Sequence, residues 1–148
     1  MSETTPNNED VTRTSQFSAI SAASTEQVGV SRGLMSDDVA AINQLPLGSA
    51  LLVVLNGPNT GARFLLNSDE TIVGRHPSAA IFLDDVTVSR KHALFLRVDG
   101  DFYVRDAVSL NGTYVNRQLV EEAKLSSGDE VRIGKYQLTF YASPLAAL

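Results

Sequence analysis

The sequence predicts an all-β sandwich over residues 45–148, preceded by a disordered tail over residues 1–44. Three observations predict it. From Ala50 onward the chain is divided into short apolar runs separated by turn residues, at the spacing expected of packed strands. No long segment carries the three-to-four-residue apolar periodicity of an amphipathic helix, and no internal repeat is present. Residues 1–44 are rich in Ser, Thr, Asn and Ala with one aromatic, Phe17, which is too little apolar surface to offset the entropy of ordering.

Within the tail, Ser36-Asp37-Asp38-Val39-Ala40-Ala41-Ile42 predicts a short helical turn, with Ser36 as N-cap and two carboxylates in its first turn. The first strand is expected at Ala50–Leu55, followed by the loop Asn56-Gly57-Pro58-Asn59-Thr60-Gly61. Further strands are expected at Ala62–Leu66, Thr71–Val73, Ile81–Leu83, Ala93–Val98, Phe102–Asp106, Thr113–Val115, Glu130–Ile133 and Gln137–Tyr141. Asp99-Gly100 and Gly134-Lys135 are hairpin turn signals between such runs.

Composition narrows the function. The 148 residues favour one domain, and 43% apolar residues suffice for one modest core. No run of about 18 apolar residues occurs, so no membrane span or membrane partner is expected. Met1 to Asp10 is polar and acidic, so a secretory signal is not expected. The absence of cysteine excludes disulfides and thiolate chemistry and fits a cytoplasmic protein. Net charge is −5, and most of it belongs to the tail, whose Glu3, Glu9, Asp10, Glu26, Asp37 and Asp38 face only Arg13 and Arg32. The near-neutral remainder argues against a nucleic-acid partner.

One constellation carries chemistry: Gly74-Arg75, then Ser89-Arg90-Lys91-His92, then Ser109-Leu110-Asn111-Gly112-Thr113 and Asn116. Each piece alone has an ordinary explanation, such as a surface ion-pair Arg, a solvated basic turn or an Asn-Gly turn. Together they place phosphate donors on separate loops with no catalytic group among them. An Arg forks two hydrogen bonds onto a phosphate, and a Ser hydroxyl adds a third. Asn111 can grip a peptide backbone with both its donor and its acceptor, while Gly112 permits a positive φ. His92 precedes the apolar Ala93-Leu94-Phe95-Leu96 and reads as a buried clamp between loops rather than a ligand. His76 and His92 lack metal-ligand spacing, so neither a metal nor a cofactor is expected. The Gly57–Gly61 loop lacks the Gly-Lys-Ser/Thr ending of a nucleotide loop.

On these residues the chain resembles the forkhead-associated (FHA) domains over residues 46–141. The resemblance implies an FHA-type eleven-stranded β-sandwich that binds phosphothreonine at loops on one end. It implies phosphate contacts from Arg75, Ser89 and Arg90, and a peptide-backbone grip by Asn111, with Ser109 and Leu110 in the same loop. Thr87 or Val88 would face the residue three places after the phosphothreonine. Gly74, His92 and Gly112 would be architectural. Val108 departs from the pattern, standing where many relatives have Gly.

The runs Leu45–Val54, Phe82–Arg90 and Ser109–Asn116 further resemble the bacterial GarA/OdhI proteins, FHA regulators of 2-oxoglutarate and glutamate metabolism with a phosphorylatable tail. Their tail carries two adjacent threonines and then Ser-x-Phe. Thr14-Ser15-Gln16-Phe17 matches the second threonine and the Ser-x-Phe after it. Arg13 replaces the first, and Thr12 is a weaker substitute. The resemblance implies a monomer that is a Ser/Thr kinase substrate. Unphosphorylated, it would bind and inhibit 2-oxoglutarate dehydrogenase or glutamate-metabolism enzymes; phosphorylated at Thr14, it would dock its own tail on the FHA site. About thirty residues join Thr14 to the first strand, giving an end-to-end reach of roughly 30 Å for a flexible chain. The rival expectation is an adaptor that reads phosphothreonine on other proteins, with the tail a mere spacer. An enzyme is the third reading. Asp84, Asp85, Asp99 and Asp101 offer carboxylates, but no nucleophile–base pair or metal set accompanies them.

Overall fold

The computed structural model describes residues 34–147. Thr12, Arg13, Thr14 and Phe17, with most of the expected tail, lie outside the described residues. The chain divides between Val39 and Ala40, and the unit from Ala40 onward holds both sheets.

Among the described residues there are eleven strands, the number the resemblance implies. They are β1 (Ala50–Asn56), β2 (Arg63–Leu66), β3 (Glu70–Gly74), β4 (Ile81–Phe82), β5 (Ala93–Val98) and β6 (Asp101–Asp106). After these come β7 (Thr113–Val115), β8 (Gln118–Val120), β9 (Glu122–Lys124), β10 (Glu130–Ile133) and β11 (Tyr136–Ala142). One sheet runs β9-β6-β5-β3-β4 and the other β2-β1-β11-β10-β7-β8. Every pairing is antiparallel except β3 with β4, where Val73 and Gly74 lie beside Ile81 and Phe82.

The core lies between the sheets. Leu52, Val54, Val131, Ile133, Leu138 and Phe140 come from one, and Val73, Ile81, Ala93, Phe95, Phe102 and Val104 from the other. Phe102 and Phe140 meet across it with ring centroids 5.5 Å apart and tilted by 56°. Leu51 and Val53 are buried as well, so β1 is covered on both faces. That explains its unbroken apolar run, since a strand buried on both faces shows no alternation.

The turns obey their sequence signals. Asp99 and Gly100 both have positive φ, 53° and 85°, which closes the β5–β6 hairpin. Gly134 closes β10–β11 at φ 59°. Asn116 and Arg117 turn β7 into β8 with φ of 49° and 71°, a hairpin the turn signals did not mark.

Helix α1 spans Ser36–Asn43. Its cap lies one residue earlier than expected. The Met35 carbonyl accepts the first helical bond from Val39 N–H at 3.1 Å, and the Asp38 carboxylate accepts Met35 N–H at 3.0 Å. Ser36 is therefore the first helical residue, and the reciprocal half of a capping box does the capping. A 3-10 helix, Pro144–Ala147, closes the described chain. Just before it, the Ser143 hydroxyl donates to the Leu45 carbonyl at 2.9 Å. No helix among the described residues is long and apolar enough to cross a membrane.

Candidate functional site

Three loops meet at one end of the sandwich: Arg75–Ala80 after β3, Leu83–His92 before β5, and Ala107–Gly112 between β6 and β7. Their backbones are fixed first. Gly74 ends β3 where an added Cβ would stand 1.9 Å from the Arg90 carbonyl oxygen, so only glycine admits this crossing. Beyond it, Arg75 N–H donates to the Ser89 carbonyl at 2.9 Å, and His76 N–H to the Arg90 carbonyl at 3.2 Å.

His92 fastens the second loop to the third. It is fully buried, its Nδ1 accepts Ser89 N–H at 3.0 Å, and its Nε2 lies 2.8 Å from the Gly112 carbonyl. An accepting Nδ1 bears no proton, so Nε2 carries it and donates to Gly112. Both ring nitrogens are thereby committed to backbone, and His92 cannot serve Ser89 as a general base.

The third loop is built around Asp106, which no sequence motif singled out. The Ser109 hydroxyl donates to Asp106 Oδ1 at 2.5 Å, the Thr113 hydroxyl to the same oxygen at 2.7 Å, and Ser109 N–H to Oδ2 at 3.0 Å. Burial pushes this carboxyl up, but those hydroxyl and N–H donors outweigh burial and hold it below the ordinary Asp value. The Ser109 oxygen also accepts Gly112 N–H at 2.9 Å. The signal was present as Asp-x-x-Ser at the end of a strand, the spacing of a side-chain-closed turn. Gly112 has φ 85°, as its turn role requires.

On this frame the ligand groups converge. Arg75 donates Nε to the Val88 carbonyl at 3.0 Å, which orients the guanidinium and leaves its two terminal nitrogens for a ligand. The Ser89 oxygen accepts Leu110 N–H at 2.9 Å, so its own proton remains to be donated. Arg90 is exposed next to it. Asn111 donates its amide to the Thr87 carbonyl at 2.9 Å across the same gap. The structure therefore brings Arg75, Ser89, Leu110 and Asn111 together, with Arg90 following Ser89 in the chain. Ser109 belongs to the loop's internal wiring, its proton committed to Asp106.

One of the two expected specificity contacts, Val88, is corrected. Val88 is 1% exposed and packs in the core, so its side chain is not offered to a peptide. Thr87 gives its hydroxyl proton to Asp85 and accepts Lys135 N–H at 2.9 Å, so it ties this loop to the β10–β11 hairpin. The Thr87 hydroxyl and N–H hold the Asp85 carboxyl below its ordinary value against the opposing effect of burial, with a smaller aid from Lys135. The apolar groups that do stand in solvent beside the site are Val86 and Leu110, 86% and 89% exposed. Alternation could not separate Val86 from Val88, because this loop has no strand period. Val108, almost fully exposed, adopts φ 56°, the left-handed region that Gly would occupy freely.

The FHA domain family matches residues 71–134, the stretch that holds all three loops. The glycogen accumulation regulator GarA of Mycolicibacterium smegmatis is 58% identical over 106 residues, 72% of this chain and 67% of that one. The oxoglutarate dehydrogenase inhibitor of Corynebacterium efficiens is 59% identical over 104 residues, 70% of this chain and 73% of its own length. Among solved structures, an FHA domain studied for phosphothreonine-dependent interactions superposes with a TM-score of 0.60 at 30% identity, over 65% of this chain and 98% of that one.

Proposed function

Because this chain belongs to the FHA-domain family that includes GarA and the oxoglutarate dehydrogenase inhibitors, we propose that it is a phosphothreonine-binding regulator of 2-oxoglutarate or glutamate metabolism. In its unphosphorylated form it binds and inhibits 2-oxoglutarate dehydrogenase or a glutamate-metabolism enzyme. A Ser/Thr kinase phosphorylates Thr14, and the phosphothreonine then docks on the site of the same chain and displaces the enzyme.

The observation that carries this reading is the set of unspent donors on a backbone held rigid by His92. The Arg75 terminal nitrogens and the Ser89 hydroxyl take phosphate oxygens, and Arg90 adds a second cation. Asn111 exchanges its bond to the Thr87 carbonyl for the backbone of the bound chain. Ser109 acts through the loop rather than on phosphate, and Leu110 and Val86 supply apolar contact for Phe17 in place of Val88. In this reading the protein works in the cytoplasm as a monomer, needs no cofactor and catalyses no reaction.

The test is inhibition of 2-oxoglutarate turnover by a purified dehydrogenase. Unmodified protein should inhibit and Thr14-phosphorylated protein should not. Equal inhibition by both forms would contradict the switch.

A further inference from the structure

Beside the site lies a separate cavity of about 280 Å³, lined by Ile72, His76, Ser78, Ala79, Arg90 and Lys91. None of these six residues is a carboxylate. The ion pairs of the described residues do not use Arg90 or Lys91. His76 is set in place by its neighbours. Ser78 N–H donates to its Nδ1 at 3.0 Å, the Ser78 oxygen lies 2.6 Å from the same nitrogen, and the His76 carbonyl accepts Ala79 N–H at 2.9 Å. With Nδ1 accepting, the ring proton sits on Nε2, which remains a donor. The cavity thus combines two cations and an imidazole N–H over an apolar floor of Ile72 and Ala79. Two cations lining one concavity repel each other unless an anion joins them.

We propose that this cavity is a second oxyanion subsite, which takes a carboxylate or a second phosphate carried on the same chain as the phosphothreonine. The inference rests on the phosphothreonine reading above. Arg90 lines this cavity and follows Ser89 in the chain, and in the phosphothreonine reading above it is a phosphate contact, so an anion here and the phosphothreonine would share one cation. In this chain's own tail, Glu9 and Asp10 precede Thr14 by five and four residues. An extended segment of that length spans about 13–17 Å. The subsite selects chains that are acidic ahead of the phosphothreonine.

The experiment is calorimetry with the unphosphorylated full chain and synthetic peptides of residues 6–20 phosphorylated at Thr14. Arg90 is left intact because it serves both sites. Neutralising the peptide at Glu9→Gln and Asp10→Asn should weaken binding about three- to tenfold. The protein variant His76→Gln/Lys91→Gln, with Lys91 exposed, His76 half-buried and an unchanged Tm as control, should show a similar loss toward the native peptide. Combined, the two losses should fall well short of multiplying. A second phosphate at Thr12 that restores the neutralised peptide would assign the subsite to either oxyanion; failure to restore it would assign the subsite to carboxylates. Equal affinity of native and neutralised peptides, or losses that multiply independently, would overturn the subsite while leaving the phosphothreonine site standing. Failure of every phosphopeptide to bind the wild-type chain would overturn both.

Discussion

Arg75 spends Nε on the Val88 carbonyl, and in the proposed function its terminal fork takes the phosphate. Arg75→Ala should therefore abolish phosphothreonine binding in a folded domain. Charge-assisted bonds contribute about 1.5–3 kcal/mol each, so loss of the pair should cost about a hundredfold or more in affinity by calorimetry. Arg75→Lys should rescue only partly, because an ammonium lacks the planar fork. His92→Ala acts differently. It strands the Ser89 N–H and the Gly112 carbonyl at once, and should lower stability by about 1–3 kcal/mol or more in urea unfolding. An unchanged unfolding midpoint would contradict the clamp. Val108 is the opposite case. A β-branched residue held at φ 56° and packed on nothing carries a backbone cost of about 1–2 kcal/mol. Val108→Gly should therefore stabilise the domain, by up to about 1 kcal/mol once the greater unfolded-state entropy of Gly is deducted. Arg75, Ser89 and Asn111 stood out because their types suit one chemistry, and His92 because it precedes an apolar run. The roles of Val88 and Val86 did not, because tertiary packing decides which of two valines two residues apart turns inward: Val88 joins the core cluster and Val86 stays in solvent.

Among the elements, the loop between β6 and β7 depends on one carboxylate. The folded Asp106 titrates below its ordinary value of 3.8, so its bonds to Ser109 and Thr113 contribute fully above that pH and fade as pH falls through the lowered value. Asp106→Asn should thus be destabilising at pH 7, and the gap from wild type should narrow at about pH 3. Urea unfolding at the two pH values checks this; a gap that widens in acid would contradict it. The strands that the sequence concealed were β8 and β9. Each is three residues long, lies at a sheet edge and is largely exposed. Edge strands bury little of either face, so neither alternation nor an apolar run marks them. The central strands were legible because burial dictated their composition. The α1 cap shifted by one residue because Asp38 reaches back to Met35, a choice between neighbouring cappers that local sequence leaves open.

At the scale of the whole molecule, the fold delivers donors from three loops to one end of a sandwich, with Arg75, Ser89 and Asn111 outside the core, so those side chains can be altered without dismantling the domain. The two-sheet class was legible from the rhythm of the sequence. The convergence of the loops was not, because it depends on contacts such as Asn111 with Thr87 and His92 with Gly112, 24 and 20 residues apart. Tethering Thr14 to its own site gives an effective concentration on the order of 1 mM, which would favour closure about 1000-fold for a micromolar intrinsic affinity. Closure should be independent of protein concentration, and it should weaken below about pH 6, where the phosphate takes up its second proton. Backbone NMR of the Thr14-phosphorylated full chain decides whether the switch operates within one molecule. Residues 14–17 should become ordered, with shifts at Arg75, Ser89, Arg90 and Asn111 that do not change on dilution. If Thr14 to Phe17 keep the same mobility with and without the phosphate, the intramolecular switch is contradicted.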